Sequence, residues 1–354
     1  MVIIYHIEQF KFIFGLNPEW ENKIVMHSMG GLGVLLFFTL SGFLITYLLL
    51  EEEMVFGKVN IKQFYIRRIL RIWPLYFLVF ILAFFVLTHI SFFQIPGFYL
   101  GKFDSKIVGL LFVFFLSNVF LAFYGILPYA SQTWSVAVEE QFYLVWPLIL
   151  RISKNKIVTV FLSIIFIISI RIILSLNQLN NLHHISAFRI LWNMFNIDCM
   201  AIGAVMAILL FKKSLLLKYL VNLPVFIGAL LIAVIFVCFN IEIPVVSIYL
   251  KNDFFAVLFS VIILNLATNK SLRSLLELKW LNYLGKISYG LYMYHSIAII
   301  ICLKTLIAFD MYSAAGMLLF TILLTVLFSH LSYNYFESPF LKIKSKFSKI
   351  STLQ

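Results

Sequence analysis

The amino-acid sequence predicts an all-α membrane protein with about ten transmembrane helices. Hydrophobic residues make up 63% of its 354 positions and charged residues 12%, whereas a soluble domain carries roughly 25% charged residues. Apolar runs recur along the whole chain, and many approach the roughly 20 residues that one crossing needs. In water most of the surface would be apolar, so we expect a multi-pass protein of the cell membrane.

The runs that we expect to lie in the membrane are separated by short polar loops. In order, they are 1–16, 31–50, 73–91, 107–124, 134–150, 157–176, 195–211, 219–238, 254–268, 287–304 and 313–335. The first is short, because its residues extend about 24 Å as a helix and the hydrocarbon core is about 30 Å thick. We expect one membrane domain over 1–345 and a short cytoplasmic tail over 346–354.

Positive charges predict which side of the membrane each loop occupies. Lys and Arg concentrate in 151–156, 212–218, 270–279 and 342–349. Short cytoplasmic loops carry such an excess, so these segments are predicted to be cytoplasmic. The basic stretch 64–77 should be cytoplasmic too, although three apolar runs separate it from 151–156. One run within 92–130, which prolines and glycines interrupt, is therefore predicted to be re-entrant, which leaves ten spans and places both termini in the cytoplasm.

The composition argues against nucleic-acid binding and against a metal site. The net charge is +12, but the cations lie in short loops between apolar runs and form no separate basic face. Cys199, Cys238 and Cys302 lie in or beside apolar segments and lack metal-ligand or disulfide spacing. We therefore expect no nucleic-acid partner, no bound metal and no bound cofactor.

Two adjacent carboxylates, Glu139 and Glu140, lie within a predicted span. A charge in hydrocarbon costs roughly 2.5–3.5 kcal/mol on insertion scales, so paired acids there indicate a functional cavity. Adjacent helical residues point about 100° apart, so one carboxylate would orient a partner while the other makes a structural hydrogen bond. The alternative is a helix start, where acidic side chains complement the helix dipole.

Three further ionisable residues lie in apolar runs. His6 belongs to the first run, Asp198 to the outer end of its span and His295 to the middle of another. Intramembrane ionisable groups are functional candidates, and an imidazole near neutrality suits a general base. For each of the three, a hydrogen bond to a neighbouring helix is the structural alternative.

An arginine cluster and a small-residue pair are the other candidate binding features. Arg67, Arg68 and Arg71 are neighbours at helical spacing, and guanidinium groups match phosphate oxygens; the alternative is a cytoplasmic anchor. Ser41 and Gly42 would let an acyl or pantetheine chain pass close to the backbone, or would permit close helix packing.

Read in order, six segments resemble the acyltransferase-3 family of membrane acyltransferases. They are VIIYHI (2–7), FFTLSGFLIT (37–46), FYIRRILRIWPLY (64–76), TWSVAVEEQFYLVWP (133–147), ISYGLYMYH (287–295) and ESPFL (337–341). Together they extend over nearly the whole chain. The segments TWSVAVEEQFY and FFTLSGF are specific, whereas each histidine segment is weaker alone.

The resemblance implies a ten-span enzyme that takes an acyl group, commonly acetyl, from cytoplasmic acyl-CoA. The implied acceptor is a hydroxyl of an extracytoplasmic or lipid-linked glycan, such as a surface polysaccharide or O-antigen. A polysaccharide biosynthesis complex is a further partner that we expect. The family's first-helix histidine corresponds to His6 and its arginine cluster to Arg67, Arg68 and Arg71. Its tryptophan, serine and glutamate positions correspond to Trp134, Ser135, Glu139 and Glu140.

Together these residues predict a reaction mechanism. The arginines hold the CoA phosphates, and the pantetheine passes Ser41 and Gly42. His6, oriented by Glu139 or Glu140, takes the proton of the glycan hydroxyl. Asp198 and His295 are expected to support the site. The hydroxyl then attacks the thioester directly, or His6 carries the acyl group in between.

One position departs from the family pattern. The family's first span carries an arginine about three helical turns before the histidine, and in this chain that position falls before Met1. With the short first run, this leads us to expect that the full protein begins upstream of Met1.

Two other functions are compatible with the sequence. A proton-coupled transporter that exports a glycan precursor would also need intramembrane His, Glu and Asp, although no paired internal repeat is visible in the sequence. A structural partner with a decayed site, in a polysaccharide synthesis complex, is the second alternative.

Overall fold

The computed structural model describes residues 1–16, 24–98, 103–241, 249–311 and 313–347. Within these ranges every regular element is a helix and no strand occurs, which confirms the predicted all-α fold class. The described residues divide into two compact units. The first unit falls within Met1–Gly30, Lys62–Ala137 and Trp280–Gln354, and the second within Gly31–Ile61 and Val138–Lys279.

Among the described residues, seven helices are long and apolar enough to cross a membrane. They are Met29–Phe56, Ile61–His89, Lys156–Ser175, Ile185–Phe211, Lys251–Thr268, Ser288–Ala308 and Ala314–Ser345. The helix Leu223–Cys238 is also apolar but shorter. These helices confirm a polytopic membrane protein, while the count of ten spans and the orientation of both termini stay predictions.

The first unit contains the helices that position the histidines. They are α1 (Val2–Ile13), α3 (Ile61–Ile81), α4 (Ser105–Val113), α5 (Ser117–Phe123), the first turn of α6 (Thr133–Ile152), α14 (Lys279–Lys286), α15 (Ser288–Ala308), α16 (Ala314–Leu331) and α17 (Ser338–Ser345). Helix α15 packs against α16 and α1. Buried Ile7, Ile299, Leu303 and Met317 form the core between them. Apolar burial thus fixes α1 on the middle of α15.

The second unit is built around α9. Its helices are α2 (Ile24–Phe56), the remainder of α6, α7 (Lys156–Ser175), α8 (Ile185–Met194), α9 (Ile197–Phe211), α10 (Leu217–Leu220), α11 (Leu223–Cys238), α12 (Lys251–Thr268) and α13 (Lys270–Leu276). Helix α9 packs against α7 and α12. A Cβ built on Gly203 would lie 2.0 Å from the carbonyl oxygen of Thr39. Glycine is therefore required where α9 and α2 touch backbone to backbone.

The segment between α3 and α6 contains no long helix within its described residues. Helix α3 continues as a π-helical turn over Leu82–Val86 and ends in the short 3-10 turn Leu87–His89. The predicted span 107–124 is divided into α4 and α5, and Phe115 between them has φ of 55°. At 1.5 Å per residue α4 extends only about 14 Å, too short to cross alone. The membrane path of this segment, of which residues 99–102 lie outside the described ranges, stays a prediction.

The predicted domain limits are not tested by this architecture. The two compact units interleave along the chain, and both belong to the membrane region that we predicted over 1–345. Of the predicted tail 346–354, residues 348–354 lie outside the described ranges.

Candidate active site

Two histidines meet inside the first unit. His6 of α1 and His295 of α15 have ring centres 4.9 Å apart, with the rings tilted by 49°. His295 is fully buried, whereas His6 is half-buried. The neighbouring residue Ile7 is part of the core that α1 shares with α15, so helix packing holds the two imidazoles together.

Hydrogen bonds determine which nitrogen of each ring is available. Nδ1 of His295 lies 2.5 Å from the carbonyl oxygen of Tyr292. A carbonyl can only accept, so this nitrogen carries the proton and the neutral ring keeps a lone pair on Nε2. That Nε2 is buried and has no hydrogen-bond partner in the described part of the chain. Nδ1 of His6 lies 3.1 Å from Oε1 of Gln9, which likewise directs the Nε2 lone pair of His6 away from its own helix.

Gln132 connects the start of α6 to the turn that carries His295. Its side-chain NH2 donates to the carbonyl oxygens of Tyr129 and Met293, both at 2.8 Å. Its side-chain oxygen accepts from the hydroxyl of Ser296 at 3.0 Å. The residues on either side of His295 in this turn are therefore fixed by one buried amide.

A second contact joins the same two helices. The hydroxyl of Tyr292 donates to the backbone oxygen of Gln132 at 2.9 Å and lies 2.7 Å from the hydroxyl of Ser135. Ser135, predicted as a supporting residue, is thus brought into the network that orients His295. Trp134, its half-buried neighbour in α6, is in the same turn.

Helix α15 carries His295 between a contact with the middle of α3 and a contact with the segment that follows α3. Near its start, the hydroxyl of Tyr289 donates to the backbone oxygen of Ile72 at 2.9 Å, one residue beyond Arg71. Near its other end, Nζ of Lys304 donates to the backbone oxygen of Gln94 at 2.6 Å. His295 lies between, about 9 Å along the helix from Tyr289 and about 14 Å from Lys304.

The arginine cluster lies in the first half of α3, where the C-terminal helix joins it. Arg67 donates to the backbone oxygen of Phe347 at 3.1 Å, and the Arg68 guanidinium lies 5.6 Å from the ring centre of Phe64. Lys344 of α17 is within electrostatic range of Arg67, Arg68 and Arg71. Three cations of the first half of α3 and one of α17 thus lie near one another, a charge that suits a polyphosphate.

The predicted residues of the second unit have identifiable surroundings. The hydroxyls of Ser41 and Tyr143 lie 2.5 Å apart, and a Cβ on Gly42 would lie 1.9 Å from the backbone oxygen of Met200. This close approach supports the packing role of Gly42, while its contact with acyl-CoA stays a prediction. Glu139 and Glu140 are half-buried on α6. They belong to the second unit and His6 to the first, so their predicted pairing also stays a prediction.

Asp198 forms a buried ion cluster that the sequence did not reveal. Arg171 of α7 donates to the carboxylate of Asp198 and, at 2.7 Å, to that of Asp253 on α12. Arg171 also donates to the backbone oxygen of Tyr249 at 2.9 Å. These contacts favour the alternative of a hydrogen bond to neighbouring helices for Asp198. Cys199 lies beside the two carboxylates, but the Arg171 guanidinium already neutralises part of their charge.

Sequence reasoning therefore found part of this arrangement and missed the rest. It named His6, His295 and Ser135 but not Gln132, Tyr292 or Ser296, which hold His295 in place. It also passed over Arg171 and Asp253, although an arginine inside the predicted span 157–176 is itself an intramembrane ionisable residue.

The family of the chain follows from comparison with known proteins. The model of the family described as "Acyltransferase domain" matches residues 1–333, nearly the whole chain. The chain therefore belongs to the acyltransferase-3 family, as its motifs predicted.

Individual relatives point to the same class. The chain is 28% identical, over 96% of its length, to the O-acetyltransferase OatA of Staphylococcus aureus strain NCTC 8325 / PS 47. The proteins of the same name from strains COL and MW2 are equally similar. The chain spans about half the length (55%) of these curated relatives, and no solved structure matches it significantly.

Proposed function

We propose that this protein is a membrane O-acyltransferase that moves an acetyl group from acyl-CoA to a hydroxyl of a glycan. Family membership and the O-acetyltransferase names of the relatives support the transfer of an acyl group to oxygen. The proposed location is the cell membrane, where a polysaccharide biosynthesis complex would supply the acceptor.

The observation that carries the proposal is the histidine pair and its place along α15. Two imidazoles lie 4.9 Å apart, about 9 Å along α15 from Tyr289, whose hydroxyl contacts the backbone of α3 next to Arg71. An acyl donor held by its phosphates near Arg71 would extend its thioester toward this pair. An acceptor would approach from the other end.

The chemistry requires only one base and a leaving thiol. Nε2 of His6 takes the proton of the glycan hydroxyl, and the hydroxyl oxygen attacks the carbonyl carbon of the thioester. The carbon–sulfur bond breaks, and the CoA thiolate receives a proton from the imidazolium. In the two-step route the acetyl group first passes to His6 and then to the hydroxyl. Both routes give the ester and free CoA.

The other predicted residues have defined roles in this proposal. Arg67, Arg68 and Arg71, with Lys344 beside them, bind the CoA phosphates as charge-assisted donors. Ser41 and Gly42 border the pantetheine arm, and Glu139 or Glu140 orients His6. His295, fixed by Gln132 and Tyr292, positions His6 through the facing rings.

The test is transfer of radiolabelled acetyl from acetyl-CoA to surface glycan in membranes that contain the chain. We expect transfer by the wild type and a loss of about 100-fold or more in His6→Ala, with acetyl-CoA binding retained. His183→Ala, which changes an exposed histidine outside the pair, is the matched control and should transfer normally. Unchanged transfer by His6→Ala would refute both proposed routes.

A proton-coupled exporter of a glycan precursor is the second candidate, favoured by the buried Arg171, Asp198 and Asp253. Such a cluster inside a helical bundle is also found where protons are carried. Export driven by a pH gradient in vesicles that lack acetyl-CoA would support this function. Acetyl transfer that does not depend on the pH gradient would exclude export as the main activity.

A further inference from the structure

A cavity of about 570 Å³ opens in the first unit near the end of α3. It is formed where α3 ends, the 3-10 turn Ser91–Phe93 follows and α4 begins. Its lining residues are Thr88, His89, Phe93, Gln94, Ile95, Phe98, Phe103, Ser105, Pro128 and Tyr129. None of these residues belongs to the arginine cluster or to the histidine pair, so the mechanism above leaves the cavity without a role.

The lining combines aromatic rings with uncharged polar groups. Phe93 and Tyr129 meet edge to face with ring centres 5.9 Å apart, and Phe98 and Phe103 lie 6.1 Å apart. Gln94 and Ser105 are exposed, and their side chains make no hydrogen bond to the described residues. The described lining contains no Lys, Arg, Asp or Glu. Such a surface binds a neutral ligand with both apolar faces and hydroxyl groups.

The phenol of Tyr129 is a fixed part of this wall. It is buried and its hydroxyl donates to the backbone oxygen of Phe93. Burial raises the pKa of Tyr129 above its usual range, so the hydroxyl stays protonated and the bond to Phe93 persists at neutral pH. The ring is thereby held in a constant position for stacking.

The cavity and the histidine pair share a wall. The backbone oxygen of Tyr129 accepts from the side chain of Gln132, and the same side chain donates to Met293 and accepts from Ser296. His295 lies between the last two residues on α15. The turn Ser91–Phe93 also packs against α15. The lining residue Tyr129 is therefore joined to the turn that carries His295 by the side chain of Gln132.

The cavity lies at the end of the helical segment Ile61–His89, and the arginine cluster lies in the first half of that segment. Arg71 and His89 are 18 residues apart in the continuous helical segment Ile61–His89, which corresponds to about 27 Å. A donor bound at Arg71 and a ligand of the cavity would thus lie well apart along one membrane-length segment. A ligand of the cavity would reach the histidines from the side away from the donor.

We propose that this cavity binds the acceptor saccharide of the transfer reaction. The inference rests on the proposed function and adds the place and the chemistry of acceptor recognition. Sugar rings present C–H faces that stack on Phe93, Phe98, Phe103 and Tyr129, and hydroxyls that exchange hydrogen bonds with Gln94, Ser105 and His89.

Direct binding to the full-length chain in lipid nanodiscs tests the site. The probes are chitotetraose, cellotetraose and maltotetraose, each observed by saturation-transfer NMR. We expect the wild type to bind at least one of them. Ser105→Trp fills the cavity, and Gln94→Ala removes an amide that makes no bond within the described structure, so each should weaken that binding at least tenfold.

The matched control is Ser91→Trp. It adds the same bulk to an exposed serine of the same segment that does not line the cavity, and it should bind the saccharide like the wild type. Acetyl-CoA binding, measured on the same samples with radiolabelled ligand, should be unchanged in all three variants. Preserved acetyl-CoA binding also shows that the variants are folded.

The possible results separate failure of the site from failure of the proposed function. Absence of saccharide binding by the wild type, or undiminished binding by Ser105→Trp and Gln94→Ala, overturns the acceptor site even where acetyl-CoA binds. Loss of acetyl-CoA binding in Ser105→Trp alone, at an unchanged melting temperature, would assign the cavity to the donor and also overturn the acceptor site. Absence of acetyl-CoA binding by the wild type would count against the proposed acyltransferase itself.

Discussion

The imidazole rings of His6 and His295 lie 4.9 Å apart, centre to centre, and only the ring of His295 is fully buried. Nδ1 of His295 is held by the Tyr292 carbonyl, so its Nε2 can accept a proton but does not receive one from a neighbour in the described structure. Two neutral imidazoles in contact cannot both become charged without mutual repulsion. Protonation of one ring to the imidazolium therefore disfavours protonation of the other.

The first prediction is that the two histidines act as one unit. We expect His6→Ala and His295→Ala each to lower acetyl transfer by about 100-fold or more. The double variant should lose little beyond the worse single variant, because members of one catalytic unit are strongly non-additive. The measurement is a double-mutant cycle on the rate of transfer at saturating acetyl-CoA.

Two controls accompany this cycle. His183→Ala, at an exposed position, should leave the rate unchanged, and His295→Asn retains a polar side chain in the buried space. Multiplicative losses in the double variant would show that His295 acts independently of His6, against the proposed positioning role.

The second prediction concerns Gln132. Gln132→Glu keeps an oxygen for Ser296 but loses the NH2 group that donates to Tyr129 and Met293. Leaving buried carbonyls unpaired costs about 1–3 kcal/mol each, so we expect a lower melting temperature in detergent. We also expect the maximal rate to fall about tenfold, with KM for acetyl-CoA unchanged.

A purely structural role for Gln132 would have a different signature. It would reduce the amount of folded protein without changing the rate per folded molecule or the pH dependence of the rate. Ser296→Ala removes only the hydroxyl that donates to Gln132 and should give a smaller loss than Gln132→Glu.

The third prediction tests whether the arginine cluster acts as a phosphate clamp, that is, whether it binds the phosphates of CoA. It compares two ligands that carry the same acetyl group, acetyl-CoA and acetyl-pantetheine. Arg71→Ala and Arg67→Ala should weaken acetyl-CoA binding about tenfold or more each, because each removes charge-assisted hydrogen bonds to phosphate. Binding of acetyl-pantetheine, which has no phosphate, should be unchanged. Lys213→Ala, in an exposed basic loop of the second unit, is the matched control.

Salt provides an independent readout of the same clamp. Acetyl-CoA binding by the wild type should weaken as ionic strength rises, since exposed charges are screened, and Arg71→Ala should reduce this dependence. Equal weakening for acetyl-CoA and acetyl-pantetheine in the arginine variants would point to lost folding and contradict a phosphate clamp.

Features that depend on local sequence could be predicted, whereas contacts that depend on how helices pack could not. Hydrophobic runs reveal helices, because insertion into the membrane depends mainly on the length and the hydrophobicity of a segment. The family motifs place His6, His295 and the arginines in order. The contact of His6 with His295 depends on how α1 packs on α15, which no local pattern encodes. Gln132 was missed because it lies just before the apolar core of its helix, where a polar residue is ordinary. The division of span 107–124 depends on the backbone at Phe115, a residue whose type gives no warning of a positive φ.

The fourth prediction concerns the buried ion cluster of the second unit. Arg171→Met leaves the carboxylates of Asp198 and Asp253 buried without their cation. Breaking a buried pair in this way costs about 3–5 kcal/mol. Asp253→Asn retains the Arg171–Asp198 pair and should cost clearly less. Thermal unfolding of the purified variants in detergent measures the difference, and equal stability of Arg171→Met and wild type would show that the cluster does not stabilise the fold.

The fifth prediction compares two glycines of α2. A Cβ at Gly42 would lie 1.9 Å from the backbone oxygen of Met200, whereas a Cβ at Gly31 meets nothing within 4 Å. Gly42→Ala must therefore push α2 and α9 apart, and we expect a lower melting temperature together with reduced transfer. Gly31→Ala should be neutral or stabilising, because alanine favours a helix by up to about 1 kcal/mol over glycine. The same substitution on the same helix thus separates close packing from helix propensity. If Gly42→Ala keeps its stability but loses acetyl-CoA binding, the position serves the pantetheine path and the packing explanation is wrong.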